Sequence, residues 1–462
     1  MVWNFKDSYV NLPDIFYSKV KPDTFNDKKL ILFNSDLAKK LNINLDKYNE
    51  SQICNILLGI GLSNKKFISQ AYAGHQFGNF TILGDGRALL LGEHITKNCN
   101  RFDIQLKGSG QTPYSRNGDG KAALGPMIRE YIVSEAMHYL RVPTTRALAV
   151  ISTGEKIMRD KTEPGAILIR VAKSHIRVGT FQFGSLLKNQ KEFNKLVDYT
   201  INRLYPELNN KNNKYIKFFE KICELQTNLI INWMRVGFIH GVMNTDNMSL
   251  SGETIDYGPC SYLDNYNPKT VLSSIDKLGR YSFENQERIT FWNLARLAET
   301  ILHLIDNNEK NAIKIVEKIL INSKKNFQKN WNVMMCKKLN LETNNNYKEL
   351  INEFLDLMHI YKLDYTNTFI DLENNKLDKT IFKNWIEKYR KCNLKKYKNN
   401  NPKFIPRNHL IERIINEAYN NNFILLHKFE KLLKTPYDKV ENKMFTSPPL
   451  DNEKVYQTYC GT

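Results

Sequence analysis

No apolar run in this sequence reaches the ~18 residues that a membrane-spanning helix needs. The first residues, "MVWNFKDSYVNLPDIF", have no apolar signal core; an early Asp7 and the lack of arginine there speak against a mitochondrial leader. A cytoplasmic protein without a membrane partner is therefore expected. Disulfide frameworks and zinc sites are also unsupported. The seven cysteines (Cys54, Cys99, Cys223, Cys260, Cys336, Cys392 and Cys460) are scattered and include no Cys-x-x-Cys pair. They read as mostly reduced, buried thiols. Cys460, third from the end in "YCGT", is poorly explained by core packing. A basic helix with interleaved aromatics is missing too. The formal charge of +19 suggests a polyanion partner when taken alone. Yet lysine is spread along the whole chain and travels with asparagine ("NNKNNKY", "KKYKNNNPK"), as on a solvated surface, so nucleic acid is not the expected partner.

What is present fits a globular protein: 462 residues, 42% apolar and 11% aromatic, enough for two or three lobes. Residues 1–65 read as irregular with short helices. From there to about residue 170 the chain is rich in glycine and β-formers. "NFTILGDGRALLLGE" reads as a hairpin, with strands 79–83 and 88–93 joined by the Gly84-Asp85-Gly86-Arg87 turn. "RFDIQLKGSG" is a strand ending in a glycine break. "KAALGPMIREYIVSEAMHYL" predicts a helix over about 122–140, with Ile128, Ile132, Ala136 and Tyr139 on one face. Two strands follow, "TTRALAVIS" and "AILIRVAK". Beyond about 190, helical patterns dominate, at 192–204, 214–236, 288–306, 310–323 and 347–360. A small mixed lobe followed by a large helical one is a protein-kinase layout.

A further absence is chemical. "HGVMNTDNMSL" has the His-x-Asp-x-x-x-x-Asn spacing of a kinase catalytic loop, from His240 to Asn247, but Val242 stands where the base belongs. "DYG" follows at Asp256, like a metal-binding Asp-Phe-Gly. Three glycine-rich stretches are candidates for cradling phosphate, and none fits a standard motif: "GSGQTP", "SRNGDGKA", and Gly84 to Arg87, where a plain turn is the other reading. Lys107 ends a strand, and Glu130 lies on the next helix. That order suits a phosphate-binding lysine positioned by a glutamate, although an exposed edge charge is the alternative. Arg170 and Arg177 lie between the proposed lobes and suit bidentate phosphate contacts. Asp246, Asn247 and Asp256 offer the oxygen ligands magnesium prefers.

The stretches "YAGHQFGNFTILGDGRALLLGE", "DIQLKGSGQTPYSRNGDGKAALGPMIREYIVSEAMH", "HGVMNTDNMSLSGETIDYGPC", "FWNLARLAE", "DYTNTF" and "NPKFIPRNHLIERII" resemble the selenoprotein O family in order, over about residues 70–462. The resemblance implies an α+β, protein-kinase-like two-lobed fold, divided here as an N-terminal extension (1–65), a small mixed lobe (66–175) and a helical lobe (176–462). It implies transfer of AMP from ATP to Ser, Thr or Tyr hydroxyls of proteins, the enzyme itself included, with magnesium or manganese. Family ATP contacts fall on Gly84, Gly86, Arg87, Lys107, Asp119, Gly120, Arg170, Arg177 and Asp256, the acid/base on Asp246, and metal ligands on Asn247 and Asp256. Cys460 stands at the family's redox position, and a reversible disulfide with Cys260, beside the "DYG", is expected. The other readings are a small-molecule phosphotransferase, which would need the missing aspartate, and a nucleotide-binding pseudokinase without turnover.

Overall fold

Short runs of branched aliphatic residues, broken by glycine and polar turns, pair into an antiparallel sheet in the computed structural model, which describes residues 2–62 and 65–459. Among the described residues the sheet has nine strands: β1 (Tyr17–Val20), β2 (Lys29–Phe33), β3 (Phe67–Gln76), β4 (Asn79–Gly84), β5 (Ala88–Ile95), β6 (Arg101–Lys107), β7 (Ala122–Ala123), β8 (Arg146–Met158) and β9 (Thr162–Ala172). The order is β1-β3-β5-β6-β9-β8-β2, with β4 on β3 and β7 on β9. The expected irregular segment 1–65 does hold short helices, α1 (Ser35–Lys40) and α2 (Glu50–Leu57). It also supplies β1 and β2, at opposite ends of the strand order.

The expected hairpin over 79–93 is corrected. Both strands form, but β4 pairs with β3, from Gln76 opposite Asn79 to Ala71 opposite Gly84. The two-residue turn is Phe77-Gly78, both at positive φ, the geometry that suits the twist of a tight hairpin. β5 instead pairs with β6 and β3. Gly84 to Arg87 is thus a crossover between two pairings rather than a hairpin turn.

Helix α3 (Leu124–Tyr139) packs on β8 and β9. Ile128, Ile132 and Ala136 of its predicted apolar face are buried and Tyr139 is half-buried; Arg129, Glu130 and Glu135 are buried as well, because α12 (Asn408–Tyr419) and α13 (Ile424–Leu433) also pack against it. A helix buried on several sides is where charged residues need partners. Between α3 and α12 run α4 (Val178–Ser185), α5 (Gln190–Leu204), α6 (Lys214–Val236), α7 (Gln286–Ile305), α8 (Glu309–Lys338), α9 (Lys348–Ile360), α10 (Tyr365–Glu373) and α11 (Lys383–Tyr389), with the two-stranded pairing of β10 (Phe238–Ile239) and β11 (Ser261–Tyr262). The molecule is mixed α/β, with strands concentrated before residue 173 and helices after it. Among the described residues no helix is long and apolar enough to cross a membrane. Cys54, Cys223, Cys260 and Cys336 are buried. Cys460, and with it the expected Cys260–Cys460 disulfide, lies outside the described residues.

Candidate active site

The site begins with strand register. Gln105 of β6 lies opposite Arg170 of β9, and Lys107 is two residues on, so the three side chains share one face. Arg170 Nε donates to Gln105 Oε1 at 3.1 Å. α3 brings Glu130 onto that face: Lys107 Nζ donates to Glu130 Oε2 at 2.7 Å, and Arg170 Nη1 to Glu130 Oε1 at 3.2 Å. Lys107 is therefore a buried cation on an inner strand, not an exposed edge charge. Glu135 pairs with Arg146 instead.

Asp256 completes the cluster. Its carboxylate accepts from Lys107 Nζ at 2.8 Å, Arg170 Nη1 at 2.6 Å and Arg177 Nη1 at 3.2 Å. Burial alone would push its carboxyl up. Arg170, Lys107 and Arg177 outweigh this and hold it well below the usual carboxylate range. Asp256 sits at φ 62°, a left-handed conformation uncommon for a non-glycine residue. The next residue, Tyr257, is buried, with its hydroxyl bonded to Thr144.

Asp246 occupies a one-turn helix, Thr245–Asn247. Thr245 Oγ1 fixes this turn by accepting from His75 N at 2.7 Å and donating to Gln182 Oε1 at 2.6 Å. Arg177 Nη1 donates to the Asp246 carbonyl at 3.0 Å. Asp246 Oδ1 is buried without a hydrogen-bond partner, and burial, opposed by Arg177, pushes the carboxyl up to about 6. Asn247 Nδ2 donates to Val242 O at 2.9 Å, which leaves its carbonyl oxygen outside that bond. His240 stacks on Trp233, and its Nε2 lies 2.8 Å from Ile255 O, which gives it a structural place in the loop.

Lys107, Arg170, Arg177, Asp246, Asn247 and Asp256 line one cavity of about 250 Å³, together with Gly86, Arg87 and Val242. A larger groove of about 750 Å³ shares Arg87, Lys107, Gly258 and Ile275 with it. Two expected contacts lie elsewhere. Asp119 is paired with Arg159 at 2.9 Å, and Gly120 O accepts from Gly110 N at 3.2 Å; neither lines the cavity. Gly84 does not line it either. Its missing side chain makes room for the Tyr114 ring.

Two further residues, Asp85 and Tyr72, line the cavity without a motif to announce them. Asp85, a turn residue by its sequence setting, is buried, accepts from Gln70 N at 3.1 Å and Gln105 Nε2 at 3.2 Å, and lies 3.9 Å from Arg177. Tyr72 lies under the Arg177 guanidinium at 4.5 Å. An acid inside a glycine-rich segment was the available signal for Asp85; Tyr72 had none beyond strand alternation.

Asn247 and the Asp256 carboxylate are hard oxygen donors facing one cavity, a set that fits a magnesium-type ion sharing its remaining positions with substrate phosphate and water. Among the described residues no cluster of three or more His, Cys, Asp or Glu is gathered to hold a metal without such help.

Three buried cations converging on one carboxylate, beside a second carboxylate with one oxygen left unpartnered, suit an enzyme that handles nucleotide phosphates. The model of one family, protein adenylyltransferase SelO, matches residues 1–435. Relatives are similar over 100% of this chain. A "protein nucleotidyltransferase YdiU" of Pelagibacter ubique is 48% identical, with 99% of its own length covered, and those of Clostridium perfringens strain 13 and Brevibacillus brevis are each 46% identical, with 98% covered. The chain belongs to the SelO family and is a protein adenylyltransferase.

Proposed function

We propose that this enzyme moves AMP from ATP to Ser, Thr or Tyr hydroxyls of cytoplasmic proteins, itself included, and releases pyrophosphate. The observation that carries the reading is the convergence of Lys107, Arg170 and Arg177 on Asp256 beside Asp246, with Val242 where a kinase base would stand. Phosphoryl-type transfer depends mostly on positioning and charge neutralisation, so losing one base need not end catalysis.

In this reading Lys107, Arg170 and Arg177 grip the β- and γ-phosphates, with Arg87 and the Gly86 backbone at the rim. The α-phosphorus then faces the acceptor. Asp246 takes the hydroxyl proton. Glu130 and Gln105 hold Lys107 and Arg170 in place. Asn247 and Asp256 would hold a magnesium or manganese ion, which neutralises phosphate charge when bound. The fold is proposed to be kinase-like and two-lobed, with an N-terminal extension (1–65), a small lobe (66–175) and a helical lobe (176–462). Sheet residues meeting loop residues after 240 at one cavity support that division. Asp119 and Gly120 join the nucleotide site only if the 108–121 loop moves.

The test is incubation with ATP labelled at the α- or the γ-phosphate. α-Label should enter protein and γ-label should not; γ-label alone in protein would overturn the reading in favour of a kinase.

A further inference from the structure

The joined cavities are lined by five residues carrying a hydroxyl, among the described residues: Tyr72, Tyr257, Ser274, Tyr419 and Tyr459. Three of them are engaged. Tyr72 is covered by Arg177, Tyr257 is buried against Thr144, and Tyr419 donates to Glu163 Oε1 at 2.9 Å. Ser274 is half-buried. Tyr459 is 67% exposed at the groove that contains Lys107, Arg87 and Gly258.

The tail is brought there by a built contact. Thr458 is buried; its N–H donates to Leu272 O at 2.7 Å and its hydroxyl to Pro259 O at 2.6 Å, while its carbonyl accepts from Ser274 N at 3.0 Å. Thr458 also forms a parallel bridge with Ser273. The tail is thereby tied to the segment that follows Asp256. Tyr459 is the next residue, and its hydroxyl donates to Gln457 Oε1 at 3.3 Å within the tail.

We propose that Tyr459 is an acceptor site for the enzyme's own AMP, modified within the same molecule. The inference rests on the adenylyl-transfer reading. The Tyr459 phenolic oxygen forms a bond to the α-phosphorus of ATP as the bond from that phosphorus to the bridging oxygen breaks. Pyrophosphate leaves with the electron pair, and the phenolic proton passes to solvent water, to which Tyr459 is open.

The test uses the full chain, kept reduced, with magnesium and α-labelled ATP. Cleavage after Lys454 releases residues 455–462, which carry Tyr456 and Tyr459. Tyr456 is 71% exposed but does not line the groove, so it is an internal control. Fragmentation should place the adenylyl group on Tyr459 and not on Tyr456, at a rate per molecule that does not depend on chain concentration. Tyr459→Phe should lose this label yet keep the rise in melting temperature that ATP and magnesium give the parent. Label on other residues with 455–462 unmodified, equal label on both tyrosines, or a concentration-dependent rate would overturn the tail site and leave adenylyl transfer standing. No α-label in the chain or in any protein of an added bacterial lysate would overturn both.

Discussion

Asp256 serves two purposes, and they separate by measurement. It neutralises Lys107, Arg170 and Arg177 in the fold, and it is the proposed metal ligand. Asp256→Ala should abolish α-label transfer. Because it leaves buried cations uncompensated, it should also lower stability by about 3 kcal/mol, read by denaturant unfolding. Arg177→Lys should fail as well: one ammonium cannot span Asp256, the Asp246 carbonyl and the Tyr72 ring together. Turnover within about tenfold of the parent, roughly 1.4 kcal/mol of barrier, would show that the planar fork is not needed. A third residue governs stability against pH. Glu253 is buried, and its carboxyl is pushed up to about 7 by burial, which outweighs its bonds to Ser251 and Lys173. Its folded value is above its unfolded one, so the folded chain keeps a proton that the unfolded chain has released. That stabilisation is complete below about pH 4.3 and is lost as pH rises through 7. Glu253→Gln removes the titration. Its unfolding midpoint should fall less than the parent's between about pH 5 and about pH 8; equal falls would place the titration elsewhere.

At the scale of elements, the Asp246 turn packs against β3 so closely that Gly74 has no room for a side chain. A Cβ there would overlap Asp246 Oδ1 and stand 2.9 Å from its Cβ. Gly74→Ala should therefore push the carboxylate aside and lower turnover about tenfold or more, with ATP binding less affected. Normal turnover would mean that the Asp246 position is not critical. β6, α3 and the 240–258 loop are legible in the sequence because each carries local signals: aliphatic runs, a helical period, and a spaced His-Asp-Asn-Asp set. The partner of β4 is not legible there, because Gly84 to Arg87 is richer in turn residues than Phe77-Gly78. A phenylalanine at positive φ leaves no compositional mark. The Lys107–Glu130 pairing was readable from chain order. The meeting of Lys107, Arg170 and Arg177 on one carboxylate was not, since it depends on strand register and on a loop some 80 residues beyond β9.

The whole molecule depends on its first 65 residues more than their composition suggests. β1 covers β3 and β2 covers β8, so residues from opposite ends of the sheet rely on one short segment. Trp3, Leu37, Leu41, Leu57 and Leu58 share a core with Leu89, Leu91, Ile104 and Ile169 of the inner strands. Glu93, fully buried on β5, accepts from Ser8 N and Tyr9 N at 2.7 Å each. A chain starting at residue 66 would expose strand ladders on β3 and β8 and open that core. It would also leave Glu93 without these two donors and the Ser8 hydroxyl, a third. Open strand edges template association, and a buried carboxylate short of donors is costly. The truncated chain should aggregate, or lack a cooperative thermal transition, even though every residue proposed to touch ATP is retained. The check is calorimetry and α-label transfer on the soluble fraction. A cooperative transition near the parent's, with parental transfer, would instead establish 1–65 as a separable extension.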